Sequence, residues 1–465
     1  MYKGVEMNKR LIGLIAGIII AVIILLLPLE GLSPEGQKCL AFSLMTVVFW
    51  ATGVAQSGFV GGLYLMLLLI FQVATPDLVF KAWYGSSTMW LIMGAYMIAG
   101  AVKDSGMGER IAYAFIKKFV RSYNGIIISI FALTFILSIL IPHPWPRAFL
   151  IMSVMAVVIK SCNIPKVDAI KIGFTVFAAS VPVSLIFITG DSTINPLAAS
   201  YAGEAVGSWI GWVKYMGVPA IVASLITMVL VLVLFKPSQA VAINLVDIEA
   251  KQKEQGPMSA LEKRTLAWLV LAIVLWMTDS IHGIDIGWIT FVIAMLMSMP
   301  FIGNVLTVKS WGQVPVHVLV FLTSAMAIGT VGGATGMNAW IANTILPASL
   351  PSNIFVLALL MGLIAMVVHM FMGSVIAVMG VAIPSLLLAT ESMGVNPIVI
   401  AMTVYLAIAS HYILPFHHLN MLVGQGEENG MYTQKETIRL GVPLTVVVFI
   451  VIIVAVLWWK VLGIA

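Results

Sequence analysis

The stretch ILIPHPWPRAFLIM (139–152) sets three prolines, a histidine and an arginine into an otherwise apolar run. A charge at bilayer depth costs about 2.5–3.5 kcal/mol on insertion scales unless it meets water or a partner. Arg147 therefore needs a reason to be there. Its planar guanidinium offers paired donors that match a carboxylate, so the residue reads as an anion ligand, with pairing to Asp191 as the alternative. Pro142, Pro144 and Pro146 preclude continuous helix. They predict an open tip, followed by a helix that starts after Pro146 and aims its first amides at the same anion. His143 and Pro144 share that tip, where His143 would serve as a substrate or proton ligand.

A second break lies in FITGDSTINPLAAS (187–200). Unwound backbone at membrane depth is tolerated where it lines a cavity or is buried in protein. Ser192, Thr193 and Asn195 would donate to a substrate, and Asp191 would balance Arg147 or take a cation or proton. The second half offers HMFMGSVIAVMGVAIP (369–384), with Gly373-Ser374 as the expected tip, carrying one hydroxyl and no cation. It also offers SHYILPFHHLNMLVGQG (410–426), where His417, His418 and Asn420 follow Pro415. On a helix His411 and His418 would share a face, but there is no H-E-x-x-H and no Cys partner, so no metal is assigned. Histidines donating to an anion fit better. Asp279, His282 and Asp285 are expected to be solvated in an outer loop. No Walker or dinucleotide glycine motif is present, so nothing points to ATP-driven transport, and no cofactor is expected.

The elements that must carry these residues follow from composition. The chain of 465 residues is 61% hydrophobic and 9% charged, where a soluble domain has roughly a quarter charged residues. An all-α polytopic membrane protein is predicted, since barrel strands would be short and alternating. Apolar runs place spans near 11–28, 39–55, 58–75, 88–103, 172–201, 216–236, 263–280, 286–301, 315–334, 397–424 and 440–461. That makes about 11 transmembrane helices. Two longer runs, 124–160 and 352–391, are broken centrally and read as re-entrant hairpins or paired crossings. With the N-terminus inside, 19 of the 24 Lys and Arg fall in cytoplasmic segments, 4 fall outside, and Arg147 is left over. The same rule explains the basic pI without nucleic acid. KDSGMGERIAYAFIKKFVRSY reads as an amphipathic helix on the cytoplasmic surface.

The halves repeat. GAYMIAGAVKDSGMGERIA (94–112) resembles AMAIGTVGGATGMNAWIA (325–342), with Ser105-Gly106-Met107 against Thr335-Gly336-Met337. An odd number of crossings separates them, so the repeats are inverted. The predicted organisation is an N-terminal helix (1–38), a first inverted repeat (39–236), a cytoplasmic linker (237–262) and a second inverted repeat (263–465). Inverted repeats with interrupted spans in matching places point to a secondary transporter with its site at the repeat interface.

On these residues the chain resembles the divalent anion:sodium symporter superfamily of di- and tricarboxylate transporters along nearly its whole length. WLIMGAYMIAGAVKDSGMGERIA resembles the segment before that family's first hairpin. The family's Ser-Asn-Thr tips are replaced by Pro142-His143-Pro144 and Ser374-Val375-Ile376. The first tip is more similar to the exchanger-like branch of plastid 2-oxoglutarate/malate translocators and bacterial citrate/succinate antiporters. Pro142, Arg147 and Ala148 fall on its Pro-x-x-x-Ala-Arg-Ala pattern, and NPLAAS (195–200) on its Asn-Pro-Leu-Ala-Ala; PFHHLN departs from both branches. The resemblance implies a homodimer in the cell membrane, with a mobile part that carries substrate by an elevator-like displacement. The expected function is exchange of small dicarboxylates (C4-dicarboxylate/2-oxoglutarate type), with a sodium- or proton-coupled di/tricarboxylate symporter as the alternative. An enzyme is not expected.

Overall fold

The computed structural model describes residues 2–345, 350–372, 374–391, 393–414 and 417–465. Among the described residues every regular element is helical. In chain order the principal helices are α1 (Tyr2–Leu26), α2 (Pro34–Thr52), α3 (Ser57–Ile70), α4 (Ser87–Ser105), α5 (Met107–Phe119), α6 (Tyr123–Leu140) and α7 (Pro144–Ser161). They continue with α8 (Lys166–Val183), α9 (Ile194–Ala202), α10 (Trp209–Leu234), α11 (Val246–Gln255), α12 (Ala260–Met277) and α13 (Ile286–Ser298). The rest are α14 (Val316–Ala334), α15 (Met337–Ile345), α16 (Ile354–Met372), α17 (Val375–Glu391), α18 (Pro397–Ala409), α19 (Leu419–Val423) and α20 (Gln434–Val461).

Four of these, α6, α10, α14 and α20, are individually long and apolar enough to cross a bilayer, and several shorter ones are apolar. The protein is an all-α polytopic membrane protein. Serine caps mark many of the starts. Ser33, Ser122 and Ser208 each accept an amide from the first turn of α2, α6 and α10, and Ser259 with Glu262 forms a capping box on α12.

The sequence repeat has a structural counterpart. Gly106 joins α4 to α5 with φ +77°, and Gly336 stands between α14 and α15 with φ +80°. Both need the left-handed region, where a Cβ costs about 1–2 kcal/mol. Gly106→Ala and Gly336→Ala should each lower stability by about that amount, seen as a melting shift of a few degrees in detergent. The hairpins α6/α7 and α16/α17 follow these joints; Tyr123 and Ile354, like Pro144 and Val375, stand 231 positions apart. The expected second tip at Gly373 lies outside the described residues, as does the break at Pro415.

The chain divides into two compact units, each drawing on both halves. The first holds residues 1–89, 315–408 and 460–465. Its core packs α1, α2, α3 and α14 around Phe42, Tyr64, Leu68 and Val331, with Ser43 Oγ and Tyr64 OH 3.0 Å apart. The hairpin α16/α17 belongs to it, and Ser374 Oγ accepts the Ala377 amide at the start of α17.

The second unit holds residues 90–314 and 409–459. At its centre is α8, buried continuously from Ile172 to Val183. The polar linker is no loose tether here. Asp168 on α8 accepts the Ser238 amide and hydroxyl, Cys162 Sγ donates to the Asn244 carbonyl at 3.1 Å, and Arg110 on α5 donates to Glu262 at 2.6 Å and to the Gly256 carbonyl at 2.8 Å. The Arg110 guanidinium lowers the Glu262 carboxyl from its ordinary 4.5 to about 2. A depressed carboxylate stabilises the fold above its unfolded value, and that contribution is lost as pH falls through the folded one. Glu262→Gln should therefore cost about 1–3 kcal/mol at pH 7. The gap from the parent protein should close between pH 4.5 and 2, as read by limited proteolysis of the linker.

Candidate functional site

In the second unit the first hairpin tip meets the interrupted span. Helix α6 ends at Leu140, and α7 begins at Pro144 with His143 as its N-cap. The helix thus starts three residues earlier than the prolines suggested. Pro144 and Pro146 occupy its first turn, where an amide would have no partner within the helix. The consequence is chemical. The prolines have no N–H, and the Trp145 amide is already accepted by His143 Nδ1 at 3.3 Å. This helix end has few amides left for an anion, so the guanidinium, rather than the backbone, is the cationic feature of the tip.

Arg147 is 0% exposed. It donates from Nη1 to the Ile141 carbonyl at 3.0 Å, and from Nη2 to Ser184 Oγ and to the Gly190 carbonyl at 3.2 Å. The side chain ties the end of α6 to the break after α8. Among the described residues no carboxylate lies within 4.0 Å of it, and its Nε has no hydrogen-bond partner.

The alternative pairing with Asp191 does not occur as a contact among the described residues. Asp191 Oδ1 instead accepts the Thr193 and Ile194 amides at 3.0 and 3.2 Å. It takes the amides of the Thr193 N-cap and of the first residue of α9, whose positive end suits a carboxylate.

The break itself is built from α8's end through a short 3-10 turn, Ile188–Asp191, to α9. Asn195 is buried and donates to the Ser184 and Phe187 carbonyls at 2.8 Å each, closing the unwound loop. The Ser192 amide reaches the Pro142 carbonyl at 3.3 Å, so the break and the tip touch directly. Ser192 Oγ is buried without a partner among the described residues, and Thr193 is buried beside it.

The second-half residues come to the same place. His418 caps α19, accepting the Asn420 amide on Nδ1 at 3.3 Å. Asn420 Oδ1 accepts from Trp145 Nε1 at 3.0 Å, and its Nδ2 donates to the Ser180 carbonyl at 3.4 Å. His417 Nδ1 accepts the Ile413 and Leu414 amides at 3.2 Å each. His411 departs from this group and meets Thr445 Oγ1 on α20 at 3.0 Å. The described residues between His411 and Leu419 are not in α-helix, so the shared helical face of His411 and His418 does not form. Ser374 belongs to the other unit.

Four participants escaped sequence reading. Tyr96 on α4 lies 2.6 Å from His143 Nε2 through its hydroxyl, while Trp145, Ser180 and Ser184 supply the contacts above. A lone tyrosine in the apolar α4 was the one available signal. Asp279 corrects a further expectation. It is buried, not solvated, and its Oδ2 accepts the Trp209 amide at 2.6 Å at the start of α10. Helix ends in apolar surroundings need acceptors for their first amides, and a short loop brings this one within reach.

Among the described residues, two helical hairpins, a span interrupted between α8 and α9 and a buried guanidinium at that break are features that membrane carriers use. Comparison with known proteins agrees. The chain belongs to the family described as the sodium:sulfate symporter transmembrane region, which matches residues 8–465. It is 24% identical to a membrane protein of Cupriavidus necator over 97% of this chain and 93% of that one. It is 30% identical to the chloroplastic dicarboxylate transporter 1 of Spinacia oleracea over 58% of this chain, and 26% identical to the putative malate transporter YflS of Bacillus subtilis over 61%. These alignments span only 50% and 61% of those two transporters. The family and its spinach and Bacillus relatives are transporters, not enzymes.

Proposed function

We propose that the chain carries small dicarboxylates of the C4-dicarboxylate/2-oxoglutarate type across the cell membrane by exchange of one anion for another. The observation that carries this reading is Arg147, a buried guanidinium met by three neutral oxygens, with Nε still unspent. A dicarboxylate supplies only acceptors and negative charge, which is what such a group lacks. Ser192 Oγ adds a second buried polar atom without a partner among the described residues. Thr193, Asn195, His143, Pro144, His417, His418 and Asn420 would shape the surrounding wall. The names of the spinach and Bacillus relatives favour a dicarboxylate over sulfate.

The carrier would work as a homodimer with a cytoplasmic N-terminus, moving its site-bearing part in an elevator-like step. A panel of C4- and C5-dicarboxylates, citrate and sulfate, tested for counterflow in proteoliposomes, should give exchange with the dicarboxylates. Counterflow of sulfate alone would overturn the substrate class.

A sodium- or proton-coupled symporter is the second reading. Asp191 beside the same break favours it, as does 25% identity over 284 residues to the sodium-dependent dicarboxylate transporter SdcS of Staphylococcus saprophyticus.

A further inference from the structure

Two short motifs in the second unit begin helices in the same way. His143-Pro144-Trp145 opens α7, and His418-Leu419-Asn420 opens α19. In each, the histidine Nδ1 accepts the amide of the residue two positions on, at 3.3 Å. A neutral imidazole that accepts on Nδ1 carries its proton on Nε2, so His143 donates that proton to the Tyr96 hydroxyl. The two capped residues then meet each other, Trp145 Nε1 donating to Asn420 Oδ1 at 3.0 Å across 275 positions of sequence.

The burial pattern gives that bond a purpose. Arg147, Ala148 and Asn420 are buried, whereas Trp145 and Pro146 are half-buried, so the indole is partly open to the surface two positions before the enclosed guanidinium. Its ring also lies edge-on to His143 at 5.1 Å between centroids, which fixes its direction.

We propose that the Trp145–Asn420 hydrogen bond is a latch holding the first hairpin tip closed over Arg147. Trp145 is thus a positioning residue, and Asn420 serves the carrier by holding it. The bond must break for an anion to reach the guanidinium. This rests on the reading of Arg147 as the anion ligand, but the latch is tested without any substrate. A single bond of this kind accounts for roughly a three- to tenfold shift between closed and open tips.

The test places a cysteine at Ala148 in a chain whose Cys39 and Cys162 are replaced by alanine. The rate of maleimide labelling then reports tip opening. Trp145→Phe keeps the ring and removes only the donor, and should raise labelling three- to tenfold with the melting temperature little changed. Asn420→Leu should do the same. The double variant should label no faster than either single one, because both remove one bond. Equal labelling in the parent and Trp145→Phe proteins would overturn the latch, as would additive effects. Faster labelling in a protein that exchanges no dicarboxylate would leave the latch standing and remove the substrate reading instead.

Discussion

Arg147→Lys should lower exchange about a hundredfold or more while the protein still folds and elutes as the parent does. The two side chains carry the same charge, so the expected loss comes from geometry. A guanidinium presents five donors in a rigid fork, whereas an ammonium presents three on a flexible stem. Arg147 already spends donors on the Ile141 and Gly190 carbonyls and on Ser184 Oγ, and keeps Nε for a further acceptor. Lysine cannot hold both breaks and a substrate carboxylate together. A hundredfold loss corresponds to about 2.7 kcal/mol, within the range for a charged hydrogen bond removed from a buried site. Arg147→Ala is the blunter variant, because it also strips partners from two buried carbonyls at about 1–3 kcal/mol each. Transport and melting measured on the lysine variant separate the roles. Normal exchange with a lowered melting temperature would make Arg147 a brace only.

Uptake into proteoliposomes preloaded with a dicarboxylate should exceed uptake into empty ones by about a hundredfold, with or without a sodium gradient. An empty site moves the buried charge of Arg147 through the membrane without a counterion. Insertion scales set that cost at about 2.5–3.5 kcal/mol, a factor on the order of a hundred. A bound dianion gives that charge a counterion at the guanidinium, its second carboxylate being left to the surrounding polar groups. Asp191 is the group that would weaken this expectation, and it can be tested cleanly. Asn is as good a cap as Asp for the Thr193 and Ile194 amides, so Asp191→Asn removes charge while keeping the α9 start. Under exchange the variant still transports and depends even more on internal substrate. Under proton or sodium coupling at Asp191 it loses gradient-driven uptake. Sodium-driven uptake into empty vesicles as fast as counterflow would sink the exchange mechanism.

The sequence alone determined the class of protein, most of its long helices, both hairpins and the interrupted span at 187–200, and it matched Gly106 to Gly336 as a repeat without showing that each joins two helices. Hydropathy, proline and glycine act over a few residues, so a window of sequence contains their causes. It also singled out Arg147 as the expensive residue, for the same local reason. Only the tertiary structure decided what that arginine touches. Ser184 and Gly190 lie 37 and 43 positions away, and they accept because the broken span leaves a hydroxyl and a carbonyl inside the protein. The Tyr96–His143 contact, the Trp145–Asn420 bond and the linker held by Arg110 and Asp168 have the same origin. A buried donor takes its partner from whichever distant segment packing brings beside it, and no local pattern records that choice.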